Sequence, residues 1–231
     1  MVCDIAGKII DISHRFEEIS RLCAEYSANE GKAELFLALT EGEFLREREI
    51  AEGFSDGAIE SAAICRKLSH LLAQNGRFLI HAVAVEWKGK GVLFLGRSGC
   101  GKSTHAKLWE KCFGATILCG DKPFLSEEDG IIYAHGSPWN GKEGYGRQGR
   151  VPIFACCFVE QGRRNVIETL APIERAERLL SQLFLPKGKA ALDKVLCFAD
   201  RMTSLPFYRL ICDKTEEAAR VCFSALMEEE K

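Results

Sequence analysis

The chain has 231 residues, 47% of them hydrophobic and 28% charged, and its 31 Lys+Arg against 33 Asp+Glu leave a formal net charge of −2. A composition this close to the globular average excludes a disordered, collagen-like or coiled-coil chain, and the length suits one large domain or a domain with a small extra lobe. The near-zero charge excludes a nucleic-acid binder that acts through a bulk positive field.

Eleven cysteines stand out. They form no C-x-x-C pair and no Cys/His group at zinc spacing. An odd cysteine count in a long chain with no opening signal peptide leads to the expectation of a cytoplasmic protein with reduced thiols. Most of these thiols are small core hydrophobes, as in Phe154-Ala155-Cys156-Cys157-Phe158. No apolar stretch approaches the about 18 residues of a membrane helix.

In chain order, Phe16, Ile19, Leu22, Cys23 and Tyr26 at helical spacing predict a helix over 13–27, with Ser13 as a cap. Residues 33–39 read as a buried strand and the polar stretch 40–57 as a candidate boundary; the chain is expected to divide into an N-terminal helix–strand extension packed on the core (1–70) and a core with C-terminal helices (71–231). A second amphipathic helix is expected over 57–74. The middle third is strand-rich: 77–87 and 91–95 flank Lys88-Gly89-Lys90 as a tight hairpin, 115–119 forms a short strand, and 122–126 and 131–135 form a second hairpin. Residues 136–150 are a long glycine-rich loop, of the kind that carries function, and 151–159 returns to the core. The last third alternates a helix from Pro172, a helix over 189–203, a strand over 206–212 and a helix over 215–229.

The chemistry concentrates at Gly96-Arg97-Ser98-Gly99-Cys100-Gly101-Lys102-Ser103, a full G-x-x-x-x-G-K-[ST] match followed by Thr104. A strand precedes it and a helix follows. Glycines there let successive backbone N–H groups converge on phosphate oxygens, and the helix N-terminus adds positive potential. Lys102 suits the β- and γ-phosphates of ATP or another nucleoside triphosphate, and the Ser103 hydroxyl suits Mg²⁺. Cys100 sits in an electropositive spot that favours thiolate reactivity, though a small side chain filling the loop is the plainer role. Downstream, the strand Ile117-Leu118-Cys119 runs through Gly120 into Asp121, a carboxylate placed to reach the same Mg²⁺.

The loop strand enters from a hairpin, so its neighbour is expected to be antiparallel, unlike an all-parallel nucleotide-binding sheet. That neighbour carries His81. A fold about residues 88–90 is expected to leave His81 some way from the loop end, unless the sheet bends.

The antiparallel strand with His81, the loop GRSGCGKST, the strand ending at Asp121 and the segment GSPWNGKEGYGRQGRVPI together resemble the HPr kinase/phosphoenolpyruvate carboxykinase-like superfamily. They resemble more closely its compact bacterial HPr-kinase-like members, taken as serine kinases. The resemblance covers about residues 75–185; the first 70 residues do not look like the N-terminal domain of HPr kinases. It implies an α/β P-loop fold, a mixed sheet with an antiparallel strand beside the P-loop strand and flanking helices, which makes 71–231 a P-loop kinase-like core. It also implies His81 near metal and phosphate, Asp121 as one of a pair of aspartates, and self-association. This chain has Gly120-Asp121-Lys122 where HPr kinases have adjacent aspartates, one serving as base and one as metal ligand. Either Asp121 does both jobs, or His81 deprotonates the acceptor, or no phosphate is transferred.

Residues 139–150 hold Lys142, Arg147 and Arg150 against Glu143, with Trp139, Asn140 and Tyr145 among them. Guanidinium groups in such a loop bind anions bidentately, which makes Arg147 and Arg150 candidates for substrate binding or for stabilising charge in transfer. His105 is expected to partner Trp109, His135 to end a strand near the site, and Lys122 to meet either phosphate or solvent. The expected function is an ATP- and Mg²⁺-dependent kinase acting on a serine or other hydroxyl of a peptide, protein or small molecule. It involves no nucleic acid and no membrane. The alternative is a nucleotide-binding regulator without transfer activity.

Overall fold

A computed structural model describes residues 1–28 and 31–228. The N-terminal layer opens with β1 (Val2–Ile5) and β2 (Lys8–Ile12), an antiparallel hairpin turning on Ala6 and Gly7. It continues with α1 (Glu17–Leu22), a short 3₁₀ turn (Ala24–Tyr26) and β3 (Leu35–Leu37), which lies parallel to β2. Then come α2 (Glu41–Ile50) and α3 (Asp56–Gln74). The polar stretch expected as a linker is thus largely helix α2. Its hydrophobic stripe is weak, but Thr40 and Glu43 form a reciprocal capping box that fixes its start. The expected 70/71 boundary falls inside α3.

The main sheet follows: β4 (Phe78–Leu79), β5 (Ala82–Trp87), β6 (Lys90–Leu95), helix α4 (Lys102–Phe113), β7 (Thr116–Cys119), β8 (Phe124–Glu128), β9 (Ile131–His135) and the long β10 (Arg150–Gln161). β11 (Val166–Thr169), α5 (Pro172–Leu180), α6 (Lys189–Met202), β12 (Phe207–Cys212) and α7 (Glu216–Glu228) complete the chain. Position 229 of the expected last helix lies outside the described residues.

β6 sits between antiparallel β5 and parallel β10, and β5 also pairs antiparallel with β7. β12 runs parallel to the second half of β10, while β9 pairs with its first three residues and extends the sheet through β8 to β4. The mixed α/β sheet with an antiparallel strand beside the loop strand is therefore present. Its hairpin turns on Lys88 and Gly89, both at positive φ (49° and 78°), the backbone that matches strand twist in a two-residue turn.

The unbroken apolar run of β6 has a physical cause. Leu93 and Leu95 pack into one hydrophobic cluster with Leu179, Val195, Phe198 and Met202, while Val92 and Phe94 pack into another with Ala106, Trp109, Cys222 and Leu226. The strand is covered on both faces, so it has no polar alternation. All eleven cysteines are free, and only Cys197 is exposed. Among the described residues no helix is long and apolar enough to cross a membrane.

A third cluster joins the N-terminal layer to the rest: Ile5, Ile10, Ile19 and Leu37 pack with Ile64, Leu68 and Leu72 of α3, and with Leu79, Phe124 and Trp139. Glu60, on α3 and 1% exposed, locks this seam: its carboxylate accepts from Arg15 N (2.9 and 3.1 Å) and Phe16 N (3.0 Å) just ahead of α1. Removing the carboxylate leaves two partly buried N–H donors without their acceptor, at the cost of those hydrogen bonds. Glu60→Ala is expected to lower unfolding free energy by roughly 2–4 kcal/mol, and Glu60→Gln, which keeps one acceptor, by about half that. Urea denaturation checks both; equal losses would contradict the capping role.

Candidate active site

The loop between β6 and α4 has the geometry its sequence predicts. Gly96, Gly99 and Gly101 take φ of 132°, 77° and 108°, and α4 starts at Lys102. At Gly96 only glycine fits on two counts: the φ is left-handed, and a Cβ would lie 2.9 Å from the Val159 carbonyl and 2.9 Å from Cys100 Sγ. The first N–H groups of α4 have no acceptor within the helix, so they face outward as anion donors. Lys102 is largely buried, and its Nζ donates to the carbonyls of Gly96 (2.8 Å) and Arg97 (3.2 Å). Burial lowers its pKa from the usual lysine range, against the opposing pull of Cys100 and Asp121.

A cleft of about 470 Å³ opens beside the loop, lined by Ser98, Gly99, Gly101, Lys102, Ser103 and Thr104 on one side and by His81, Gly120, Asp121, Gly141, Lys142 and Glu143 on the other. His81 Nε2 lies 3.4 Å from Asp121 Oδ1, and Lys122 Nζ donates to Asp121 Oδ2 at 3.0 Å. Desolvation opposes ionisation of Asp121, but the hydrogen bond from His81 and the Lys122 charge outweigh it and hold the carboxyl below its ordinary value. Asp121 is thus a carboxylate at neutral pH.

His81 corrects the sequence expectation. The hairpin register pairs Ala82 with Leu95, so the next residue back lies beside Gly96, at the loop end itself and with no bend required. In an antiparallel pair the two residue numbers sum to a constant, and that rule places His81 at the loop. Lys122, expected on either phosphate or solvent, is committed to Asp121.

Arg147 and Arg150 do not line the cleft. The Arg147 guanidinium pairs with Glu86 on β5, and that of Arg150 pairs with Glu128 and lies 4.5 Å over the Tyr133 ring. The reason is the path of the loop: Cys119 bridges to Gly146, and Arg147 N donates to Leu118 O (3.0 Å), so the segment after Gly146 runs back along β7, away from the site. The loop brings Lys142 and Glu143 into the cleft instead. Trp139 is buried, its Nε1 donating to the Ser61 carbonyl and hydroxyl. His135 is buried, faces a different cavity and meets Ser126 Oγ at 2.8 Å. His105 is also buried and accepts from Trp109 Nε1 at 3.2 Å, as its spacing predicts.

Sequence reasoning missed Gln182. Its side-chain oxygen accepts from Gly96 N (3.3 Å) and its carbonyl accepts from His81 N (2.9 Å), tying the loop to the histidine. Nothing local marks this residue, which lies in the turn after α5. It also lines a second cavity, of about 660 Å³, behind the loop with Arg97, Phe158, Glu160 and Arg178.

Ser103 and Asp121 present hard oxygen donors to one cleft, and among the described residues no group of three or more His, Cys, Asp or Glu side chains surrounds a metal position. Such a sparse oxygen set fits Mg²⁺, which keeps waters and takes its remaining ligands from phosphates, and does not fit an all-protein cage.

No protein-family model and no curated protein matches the chain. Among solved structures it is similar to the Hpr(Ser) kinase/phosphatase from Coxiella burnetii, at 11% sequence identity and a TM-score of 0.40, with 66% of this chain and 92% of that chain covered. The chemistry of the cleft is read from its own side chains.

Two predictions follow from this geometry. A Cβ on Gly120 would stand 2.5 Å from the Asn140 carbonyl and 3.0 Å from that of Tyr145, backbone atoms that yield little. Gly120→Ala is therefore expected to cost roughly 1–3 kcal/mol by overpacking, read by chemical denaturation. His105 and His135 have pKa values lowered from 6.5 to about 4, chiefly by burial. The unfolded chain takes up these protons first, so stability falls as pH drops from about 6.5 toward 4, by roughly 2–3 kcal/mol per histidine. Denaturation midpoints that stay flat between pH 7 and 5 contradict this.

Proposed function

We propose that the cleft binds a nucleoside triphosphate, ATP in the first instance, and transfers its γ-phosphate to a hydroxyl of a peptide, protein or small molecule. The observation that carries the reading is one juxtaposition. A glycine loop with Lys102 and Ser103 at a helix start faces, across one cleft, a carboxylate held by a histidine and a lysine. It agrees with the HPr-kinase-like character of the motifs.

The chain's own residues divide the work. Backbone N–H groups of the loop and the start of α4 hold the phosphates, and Lys102 swings from the loop carbonyls onto the β- and γ-oxygens. Ser103 and Asp121 would hold Mg²⁺, which supplies charge neutralisation on the triphosphate. Lys142 takes the place in the cleft that sequence reasoning assigned to Arg147 and Arg150. Asp121 stays ionised and orients the acceptor hydroxyl, while His81, whose Nε2 donates to the carboxylate, receives the hydroxyl proton on its other ring nitrogen as the oxygen attacks the γ-phosphorus and the bond to the leaving nucleoside diphosphate breaks. The Lys122 charge keeps Asp121 from competing for that proton. The two carboxylate oxygens thereby replace the two adjacent aspartates of the resembling family.

Calorimetry with ATP and Mg²⁺, followed by label transfer from [γ-³²P]ATP to a hydroxyl-bearing peptide library and cell extract, tests the reading. Lys102→Ala is expected to weaken ATP binding by about tenfold or more. Asp121→Asn and His81→Ala are expected to leave binding within a few-fold and to lower transfer by about 10²–10⁴. ATP binding with no labelled product from the intact protein favours the nucleotide-binding regulator instead. Failure to bind ATP at all would overturn the phosphate cleft itself.

A further inference from the structure

The cavity of about 660 Å³ behind the glycine loop has no part in holding the triphosphate. β6 and β10 run parallel, so their carboxyl ends open on the same side, where ligands collect in α/β sheets. Ser98 and Gly99 line both this cavity and the phosphate cleft, so the loop is one wall between two spaces. Arg97 lines the cavity and not the cleft, which sets its side chain apart from Lys102 and Ser103.

Charge gives the cavity a preference. Its charged lining side chains are Arg97, Glu160 and Arg178. Glu160 already has two cations: Arg178 Nη1 donates to one carboxylate oxygen at 2.7 Å, and Arg209 Nε donates to the other at 3.0 Å. Its negative charge is therefore neutralised. Arg97 is exposed and makes no ion pair among the described residues, and Arg178 keeps 30% of its side-chain surface open. Two reachable arginines against one glutamate leave the lining positive by one. That matches a single carboxylate, whereas a phosphomonoester, with about two negative charges, overshoots it. The volume is that of a small-molecule pocket. The cavity wall is also tied to the chemistry, because Gln182 Oε1 accepts from Gly96 N and the Gln182 carbonyl accepts from His81 N.

We propose that the phosphate acceptor is a small hydroxy acid with one carboxylate, which this cavity holds between Arg97 and Arg178 while the hydroxyl reaches over Ser98 and Gly99 into the cleft. This acceptor class rests on the transfer reading above and narrows it. The hydroxyl oxygen bonds to the γ-phosphorus, the bond from that phosphorus to the nucleoside diphosphate breaks, and the hydroxyl proton passes to His81.

The test uses the full chain in two arms. Calorimetry without nucleotide measures binding of a panel of small hydroxy monocarboxylic acids, D-glycerate and L-lactate among them, against glycerol, glycerol phosphate and an acidic serine peptide. Label transfer from [γ-³²P]ATP is then run on the same panel. At least one hydroxy acid is expected to bind and to accept label, with kcat/KM about tenfold or more above that of glycerol. Arg97→Gln and Arg178→Gln are each expected to weaken acid binding and raise KM for the acid about tenfold, while any turnover of glycerol stays as in the parent. A merely structural loss lowers both substrates together, so the change in acid preference is the diagnostic readout. Both variants are expected to fold, since Arg97 has no ion pair to lose and Glu160 keeps Arg209. The proposal is overturned if no hydroxy acid binds, if label goes in preference to glycerol, glycerol phosphate or the peptide, or if both variants keep the parent's acid preference. Transfer to the peptide without acid binding sinks this acceptor class alone. Arginine-dependent acid binding with no transfer to any compound sinks the transfer reading, and the acceptor role with it.

Discussion

The site depends on one constraint, the antiparallel seating of β5 between β6 and β7. Its first residue is held on both edges: Ala82 pairs with Leu95 at the end of the loop strand, and its N–H donates to the Asp121 carbonyl at 2.9 Å. The glycine loop and the carboxylate come from strands separated by α4, yet one residue of the intervening strand fixes both. His81, immediately before it, has no freedom to sit anywhere but between them. An all-parallel sheet places a helix after each strand and brings no strand start to this end. The antiparallel strand brings a third ionisable side chain to the end of the sheet where the loop and carboxylate already lie.

How much of this was legible follows from how local each signal is. The glycine loop, the hairpin at Lys88-Gly89 and the Asp121 strand end are short patterns whose geometry is set by neighbours in sequence, and each stands where the sequence predicts it. The location of His81 was also contained in the sequence, because hairpin register follows from the turn alone. Helix α2 hid behind a weak apolar stripe, while its Thr40–Glu43 capping box was readable. By contrast, Gln182 reaches Gly96 and His81 across long sequence separations, and no residue pattern encodes such a meeting.

In the loop 136–150 composition does not predict placement. Its basic and aromatic residues suggested an anion-binding segment, and most of them serve elsewhere. Trp139 anchors the loop to α3 through Ser61, Tyr145 lies under the Lys107 ammonium at 3.7 Å, and Arg147 and Arg150 each neutralise a glutamate. The glycines are what matter locally. Gly120 and the loop backbone approach so closely that no Cβ fits between them, and the same closeness presses Gly141 against Asp121. The loop acts on the site mainly as a wall that positions Asp121, and only Lys142 and Glu143 project chemistry into the cleft.

Lys122 gives the cleft an electrostatic character different from that of a paired-carboxylate site. Two adjacent aspartates would put two negative charges at one end of the sheet. Here one carboxylate shares its oxygens between His81 and Lys122, and Lys102 and Lys142 stand across from it. The balance of these charges, with Glu143 included, is positive by one when His81 is neutral. A cleft so disposed carries a positive local potential, the sign that suits an anion. The same balance spares Asp121 from protonation, because a cation within hydrogen-bond distance favours the charged carboxylate more than burial opposes it. Lys122 beside Asp121 thus keeps the carboxylate ionised.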